Sequence, residues 1–220
     1  MADELSHRRG VEAVLLAGSV ARGEQWATSD LDLLVVGPEA DTLPVRVMID
    51  GLLVERISHS EAGWLQRLDR PRTSWLYAFS EAIPLLDRGA GGRLRDAADK
   101  VRHSYRADPA LRSRLATSLW HGQAKLDRAV EGDEQSQGLW ASLVVETIID
   151  ALYTIHNVPL PAGSRRLEHL HEVPLTAEDQ ANLDHLLTGS PSSRISAAIT
   201  LADSLRDQLG PADHETGADE

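Results

Sequence analysis

Short apolar runs alternate with turn residues over roughly the first ninety residues of the chain. Residues 11–17 (VEAVLLA) and 31–36 (LDLLVV) are brief and aliphatic, and they end at Gly18 and at Gly37-Pro38. Runs of this length that stop at glycine or proline predict strands separated by turns. We therefore expect a sheet in this part of the chain.

Two more apolar runs, residues 45–49 and 52–57, flank the pair Asp50-Gly51. This arrangement predicts a hairpin with a type I′ turn, because both central residues of that turn need a positive φ. Residues 83–86 (IPLL) predict a last strand at the edge of the sheet, since Pro84 has no N–H to donate to a neighbour.

A helix is expected after the hairpin. Ser58 and Glu61 have the spacing of a capping box, which predicts that a helix begins there. This helix would carry the apolar residues Trp64, Leu65 and Leu68.

Beyond residue 90 the apolar positions recur at helical spacing instead. The sequence GAGG at 89–92 is interpreted as a linker, and Pro159 and Pro161 would end the second long helix. We expect helices around residues 111–130, 139–156, 176–187 and 193–209.

The predicted fold class is α+β. A catalytic domain at residues 1–90, with a mixed sheet and flanking helices, would precede an all-α helical bundle at 91–210. The polar residues 211–220 would form a disordered tail.

Composition narrows the range of functions. The 220-residue chain has no cysteine, which excludes disulfides and thiolate metal sites and fits a reducing cytoplasm. A net charge of −12 disfavours binding a nucleic-acid backbone and is better matched to a small cationic partner. The polar N-terminus and the absence of an apolar run near 20 residues predict no signal peptide and no membrane span.

The segment GSVARGEQWATSDLDLLVV, residues 18–36, contains the candidate chemistry. Residues i and i+2 of a strand face the same side, so Asp30 and Asp32 would present two carboxylates together. Adjacent carboxylates repel one another unless a cation lies between them, and Mg²⁺ prefers such oxygen ligands. The Gly18-Ser19 turn would let the backbone approach a phosphate and donate hydrogen bonds to it.

Glu55 is the candidate third acid, because a glutamate within an apolar strand is costly to bury unless it is paired or ligating. An alternative for Glu55 is a solvent-facing position on an edge strand, paired with Arg56 or Arg46. Asp30 and Asp32 could likewise belong to a solvated strand face.

Together, Gly18-Ser19, the ten-residue loop and Asp30-x-Asp32 resemble the signature of the DNA-polymerase-β nucleotidyltransferase superfamily. The resemblance extends to its bacterial small-molecule branch, which includes the kanamycin, streptomycin and lincosamide enzymes, and to small antitoxin-like members. It implies two Mg²⁺ ions on Asp30, Asp32 and Glu55, with ATP or another nucleoside triphosphate as co-substrate. Gly18 and Ser19 would hold the triphosphate, and Arg22 and Ser29 lie where the family often has Arg-Gly and Ser.

The second predicted domain would supply the acceptor site. Ser142, Glu146, Asp150 and Tyr153 fall on one face of the helix predicted at 139–156. The segment LVVETIIDALY resembles the helix that carries the general base in kanamycin-type enzymes, which makes Glu146 the candidate base. A solvated acid pair on an exposed helix face is the alternative, and the resemblance leaves open a site built across a homodimer.

Other residues give weaker signals. Lys125 and Arg128 are weaker candidates than Arg22 for contact with a triphosphate. His156, His169 and His171 form no helical His-x3-His pair. The spacing of Arg166 and His171 also resembles the Arg-x4-6-His signature of HEPN-type ribonucleases, a pattern that arises often by chance.

The expected function is transfer of a nucleoside monophosphate to a hydroxyl of an aminoglycoside-like antibiotic, with release of pyrophosphate. AMP is the first candidate for the transferred group. Two alternatives stay open: an antitoxin-like enzyme that modifies a partner protein, and a non-catalytic nucleotide-binding protein. Retention of both Asp30 and Asp32 argues against the last.

Overall fold

The computed structural model describes residues 7–37, 46–69 and 73–210, and the predicted tail at 211–220 lies outside them. The chain forms two compact units, Met1–Ser104 and Tyr105–Glu220. The first unit contains the sheet, and the second is helical within the described residues.

The first unit is built on a mixed five-stranded sheet with the order β3-β4-β2-β1-β5. Strands β2 and β4 run parallel, and the other neighbouring pairs are antiparallel. The strands are β1 (Ala13–Ala17), β2 (Leu31–Val36), β3 (Arg46–Ile49), β4 (Leu52–His59) and β5 (Ile83–Asp87). The mixed sheet with flanking helices and the edge position of β5 are confirmed.

The hairpin predicted between β3 and β4 is present. Asp50 and Gly51 have φ values of 50° and 82°, the positive angles that a type I′ turn requires. Residue 45, predicted to begin β3, lies outside the described residues. Strand β4 extends two residues past its predicted end because His59 still pairs with Val36 of β2.

In the described part of the first unit, four helices accompany this sheet: α1 (Gly18–Arg22), α2 (Glu61–Leu68), α3 (Ser74–Glu81) and α4 (Ala90–Ser104). Alternate strand residues such as Leu15, Leu34 and Val36 pack with the buried side chains of α2, α3 and α4. The opposite face of the sheet has a second buried cluster that includes Val14, Leu33, Val35 and Val54.

The predicted start of α2 was wrong by two residues. Ser60 is the N-cap, and its side chain accepts a hydrogen bond of 3.1 Å from the Gly63 N–H. Ser58 still belongs to β4, where it pairs with Val35. The capping-box pattern identified the helix but not its cap, because the strand continues through the serine on which the pattern rested.

The predicted linker at residues 89–92 is the beginning of a helix instead. Asp87, the last residue of β5, accepts hydrogen bonds from the N–H groups of Gly89, Gly91 and Gly92 at 2.7–2.9 Å. These contacts satisfy donors that a helix leaves free in its first turn. Helix α4 therefore belongs to the first unit, which ends at residue 104 rather than at the expected residue 90.

The second unit contains the four long helices that the spacing predicted. They are α5 (Pro109–Val130), α6 (Glu134–Ile155), α7 (Ala177–Thr188) and α8 (Pro191–Leu209), and two short 3₁₀ turns, Gly163–Arg165 and Leu170–Glu172, lie between α6 and α7. Their apolar sides form one buried cluster around Leu126, Ile148, Leu183 and Leu201.

Helix α6 is long and apolar enough to cross a membrane by length and composition alone. No apolar run of this length was expected from the sequence. Its residues Ile148, Ala151, Leu152 and Tyr153 are, however, almost fully buried within the second unit. A central helix of a bundle passes the same test, and its burial here supports that interpretation.

Candidate active site

Three carboxylates meet where β2 begins, beside the inner strand β4. Asp30 immediately precedes β2, Asp32 is its second residue, and Glu55 lies in the middle of β4. One oxygen from each lies within 4.8 Å of the others, and all three residues are half-buried. The structure thus brings together the three acids that the sequence singled out.

Strand pairing explains this convergence. Asp32 is opposite Ala17 of β1 and beside Glu55 in the parallel ladder with β4. Neighbouring strands are about 4.8 Å apart, so side chains on one face of such a row are close together. Asp32 and Glu55 alternate onto the helix-covered face, since the next residues on that face, Leu34 and Ile57, pack with the helices.

The acids act on each other electrostatically. Burial raises the pKa of Asp32, the charges of Asp30 and Glu55 raise it further, and Arg22 opposes them. In the protein alone, the ionised form of Asp32 is therefore disfavoured relative to the protonated form. A cation among these oxygens would reverse that disadvantage, because it favours the ionised carboxylate.

Gly18 makes room for Asp32. Its φ is +70°, and a Cβ built on it would lie 2.2 Å from Oδ2 of Asp32, closer than any real contact. The glycine therefore lets the β1–α1 turn pass directly beside the carboxylate. The sequence suggested a different need, the approach of backbone to phosphate, and had no signal for the contact with Asp32.

The other predicted phosphate-binding residues lie near this turn. Ser19 is in α1, and Arg22 at its end pairs with Glu24 at 2.7 Å and with Glu81 at 3.5 Å. Ser29 closes the loop, since its Oγ accepts a hydrogen bond of 2.9 Å from the Trp26 N–H. Ser29 thus shapes the loop just before Asp30.

Glu55 is both a member of the acid cluster and the partner of an arginine, which the sequence had suggested as alternatives. Its carboxylate accepts two hydrogen bonds from the Arg46 guanidinium, at 3.1 and 3.2 Å, and it also belongs to the acid cluster. Arg46 is largely exposed, so it can move away without leaving a buried charge behind. Arg56, the other suggested partner, points to the opposite face of the sheet.

The predicted stripe on α6 is occupied by arginines of the second unit. The Arg166 guanidinium hydrogen-bonds Glu146, and its Nε lies 2.9 Å from Oδ1 of Asp150. Arg194 donates to Ser142 at 2.8 Å. Glu146 remains 75% exposed, whereas Asp150 is mostly covered. Spacing along one helix predicted the acids, but it had no signal for a partner twenty positions away.

Burial distinguishes the two acids of this stripe. Burial raises the pKa of Asp150 to about 6, with Arg166 opposing the shift and Glu146 adding to it. Tyr153 is fully buried and donates a 2.6 Å hydrogen bond to the Arg166 carbonyl. The loop that carries Arg166 is thus attached to α6 by both its side chain and its backbone.

Three of the residues with weaker signals, His169, His171 and Lys125, have structural contacts. His169 lies 2.9 Å from Glu172, and His171 Nδ1 lies 2.9 Å from the Glu168 carbonyl oxygen. Lys125 rests over the Trp140 ring, 5.3 Å from its centroid. Since Arg166 is paired with two acids, the Arg-x4-6-His spacing gains no support from these contacts.

Comparison with known proteins bears on the first unit. Residues 1–72 match the family model of the nucleotidyltransferase domain. A nucleotidyltransferase-like protein from Exiguobacterium sibiricum 255-15 is similar in structure, with 12% identity, 94% of this chain and 71% of that chain covered, and a TM-score of 0.46. No curated protein sequence matches the chain. The domain match supports a transferase.

Proposed function

We propose that this protein transfers a nucleoside monophosphate, in the first place AMP, from a nucleoside triphosphate to a hydroxyl of a small acceptor. The observation that supports this most is the cluster of Asp30, Asp32 and Glu55 within a segment that matches the nucleotidyltransferase domain. In this reaction the acceptor oxygen bonds to the α-phosphorus. The bond from that phosphorus to the bridging oxygen breaks, and pyrophosphate leaves.

The three acids suit Mg²⁺. They offer only oxygen ligands within 4.8 Å of one another, and their mutual repulsion favours an added cation. Asp30, Asp32 and Glu55 would hold two such ions. When bound, the metal would neutralise charge on the phosphates and position them for displacement.

Residues of the β1–α1 turn would position the triphosphate. Gly18 and Ser19 can bring backbone N–H groups close to phosphate oxygens. Arg22 adds a positive charge that already acts on Asp32. To contact a phosphate, the Arg22 guanidinium would release Glu24 or Glu81 and bind the more highly charged phosphate instead.

The second unit would serve the acceptor. Glu146 is our candidate for the group that takes the proton from the acceptor hydroxyl, and its exposure makes it reachable. Arg166 would have to release Glu146 for this step. An aminoglycoside-like acceptor suits the net charge of −12, which makes antibiotic modification in the cytoplasm the biological role that we propose.

The test is pyrophosphate release from ATP and GTP with Mg²⁺ against a panel of aminoglycosides and lincosamides. We expect release only with an acceptor, and none from Asp32→Asn. Asp96→Asn, an exposed position on α4 with the same change of charge, is the control and should keep full activity. Release by none of the acceptors, with Mg²⁺-dependent nucleotide binding intact, would contradict the small-molecule proposal.

A further inference from the structure

Arg56 is an unusual residue of the first unit. It lies on β4, and because it is adjacent to Glu55 its side chain leaves the opposite face of the sheet. Only 8% of Arg56 is exposed, and it is the only charged residue so deeply buried in the part of the chain that the structure describes. Its neighbours on that face, Leu33 and Val54, are apolar.

Most of the Arg56 side chain is covered, yet within the described residues its guanidinium has no carboxylate partner. Arg56 Nε donates to Ser58 Oγ at 3.2 Å, and within residues 7–37, 46–69 and 73–210 no carboxylate forms an ion pair with it. A hydroxyl does not neutralise the charge. Buried arginines are as a rule paired with an acid or hold an anionic ligand, because an isolated buried charge is strongly unfavourable.

A second arginine lies near the same face. The turn at residues 7–10 leads into Val11, which belongs to the buried cluster of this face, and the Val11 N–H bonds the Arg8 carbonyl at 3.2 Å. Gly37 packs closely against this turn, and its N–H donates to the His59 carbonyl, one residue beyond Ser58.

The charges of the two arginines act on each other. Burial lowers the pKa of Arg56, and the positive charge of Arg8 lowers it further. Within the described residues no acid forms an ion pair with either arginine, so a bound anion would offset the repulsion between these two like charges.

We propose that Arg8, Arg56 and Ser58 form a binding site for a phosphate group, on the face of the sheet opposite Asp32 and Glu55. Guanidinium groups match phosphate oxygens with paired N–H donors. The Ser58 hydroxyl can donate to a phosphate oxygen while it accepts from Arg56. The site favours a small anion over a nucleic acid, because a chain of net charge −12 repels an extended polyanion.

The test measures anion binding by calorimetric titration and thermal unfolding, with EDTA present and ionic strength matched by potassium chloride. The probes are inorganic phosphate, pyrophosphate and ATP. We expect at least one to bind wild type, with affinity reduced tenfold or more in Arg56→Gln and several-fold in Arg8→Gln. Arg67→Gln, which makes the same charge change on α2, should bind like wild type.

Further arms identify the source of the phosphate. Binding of inorganic phosphate would indicate a free anion, whereas binding of ATP or pyrophosphate alone would indicate a nucleotide or a polyphosphate. The ATP arm is repeated in Asp32→Asn, where binding at Arg56 should persist. Because no acceptor or metal is present, failure of the transferase proposal would leave these results unchanged.

Two results would overturn the site. Either no probe stabilises wild type beyond the chloride control, or Arg8→Gln and Arg56→Gln both bind as wild type does. If Arg56→Gln does not fold, Arg8→Gln decides alone, because Arg8 is exposed and its loss leaves no cavity.

Discussion

At the scale of single residues, Gly18 and Asp32 share one small space. Gly18→Ala would place a methyl group 2.2 Å from Oδ2 of Asp32, at a φ of +70°. We expect the carboxylate to move and pyrophosphate release to fall on the order of 100-fold, because displacements near 1 Å have such effects. Steady-state kinetics with the acceptor identified by the panel measure this.

Gly23→Ala is the matched control. Gly23 has nearly the same φ, +73°, but nothing lies within 4 Å of the added Cβ. It should lose about 1 kcal/mol of stability through backbone strain and keep its activity. Equal loss of activity in both variants would show that strain, rather than contact with Asp32, explains the need for Gly18.

The variant Asp32→Asn should lose metal binding without losing stability in the absence of metal. Because burial and two acids raise its pKa, Asp32→Asn removes a repulsive charge, and we expect metal-free stability to be equal to or above wild type. With Mg²⁺ at roughly 100 times its Kd, the free energy of unfolding of wild type should rise by about 2.7 kcal/mol, whereas that of the variant should change little. Denaturant unfolding with and without Mg²⁺ measures both; a variant that responds to Mg²⁺ like wild type contradicts the site.

Asp150 should make the stability of the second unit depend on pH. Its pKa of about 6 in the folded protein exceeds the ordinary 3.8, so the folded state binds this proton more tightly. The resulting stabilisation is complete below about pH 4 and is lost as pH rises to about 6, by up to about 3 kcal/mol.

Unfolding curves of wild type and Asp150→Asn across this range check the expectation. The difference between their stabilities should change with pH in that window. Asp207→Asn, an exposed acid on α8, should show no such change relative to wild type. Parallel curves for wild type and Asp150→Asn would mean that Arg166 holds the pKa of Asp150 near its ordinary value.

Much of the acid site could be predicted residue by residue. Asp30 and Asp32 follow from strand periodicity and their place after a Gly-Ser turn, and Glu55 from its apolar surroundings. The partner of Glu55 was left open between Arg46 and Arg56, and strand pairing brings Arg46 to it. The pairing of Arg166 with Asp150 in the second unit could not be predicted, because a loop brings Arg166 there. Local spacing has no information on such contacts.

At the scale of elements, the end of β5 and the start of α4 depend on Asp87. Its carboxylate accepts from three backbone N–H groups, so Asp87→Ala should cost about 1–2 kcal/mol, as other lost helix caps do. Asp87→Asn keeps one acceptor oxygen and should lose less. Asp96→Ala, within the same helix, should cost little in the same thermal unfolding assay.

The elements found by pattern were those with enough residues to show a period. The long helices α5 to α8 and the strands met this condition, whereas the five-residue α1 is too short for it. Helix α3, of eight residues, was not predicted either, and the whole of α4, of fifteen residues, was missed for another reason. Its glycines indicated a linker, and only the contact of Gly91 with Asp87 and Leu15 explains why a small residue is needed inside that helix.

At the scale of the whole molecule, the extent of the first unit is testable. A fragment of residues 1–104 retains α4, whose Ala90, Leu94 and Ala98 are fully buried. We expect it to fold alone and to show the same Mg²⁺-dependent stabilisation as the full chain. A fragment of residues 1–90 lacks this packing and should remain unfolded by circular dichroism; a folded 1–90 fragment would return the boundary to residue 90.

The acid cluster depends on the register in which β2 pairs with β4. Asp32 and Glu55 are neighbours only while both strands keep their register. One residue inserted in β4 just before Glu55 would turn it to the face of Arg56, and two would restore its face but displace it by about 6.6 Å. Any descendant of the chain, natural or engineered, must therefore inherit these two strands without insertions or deletions.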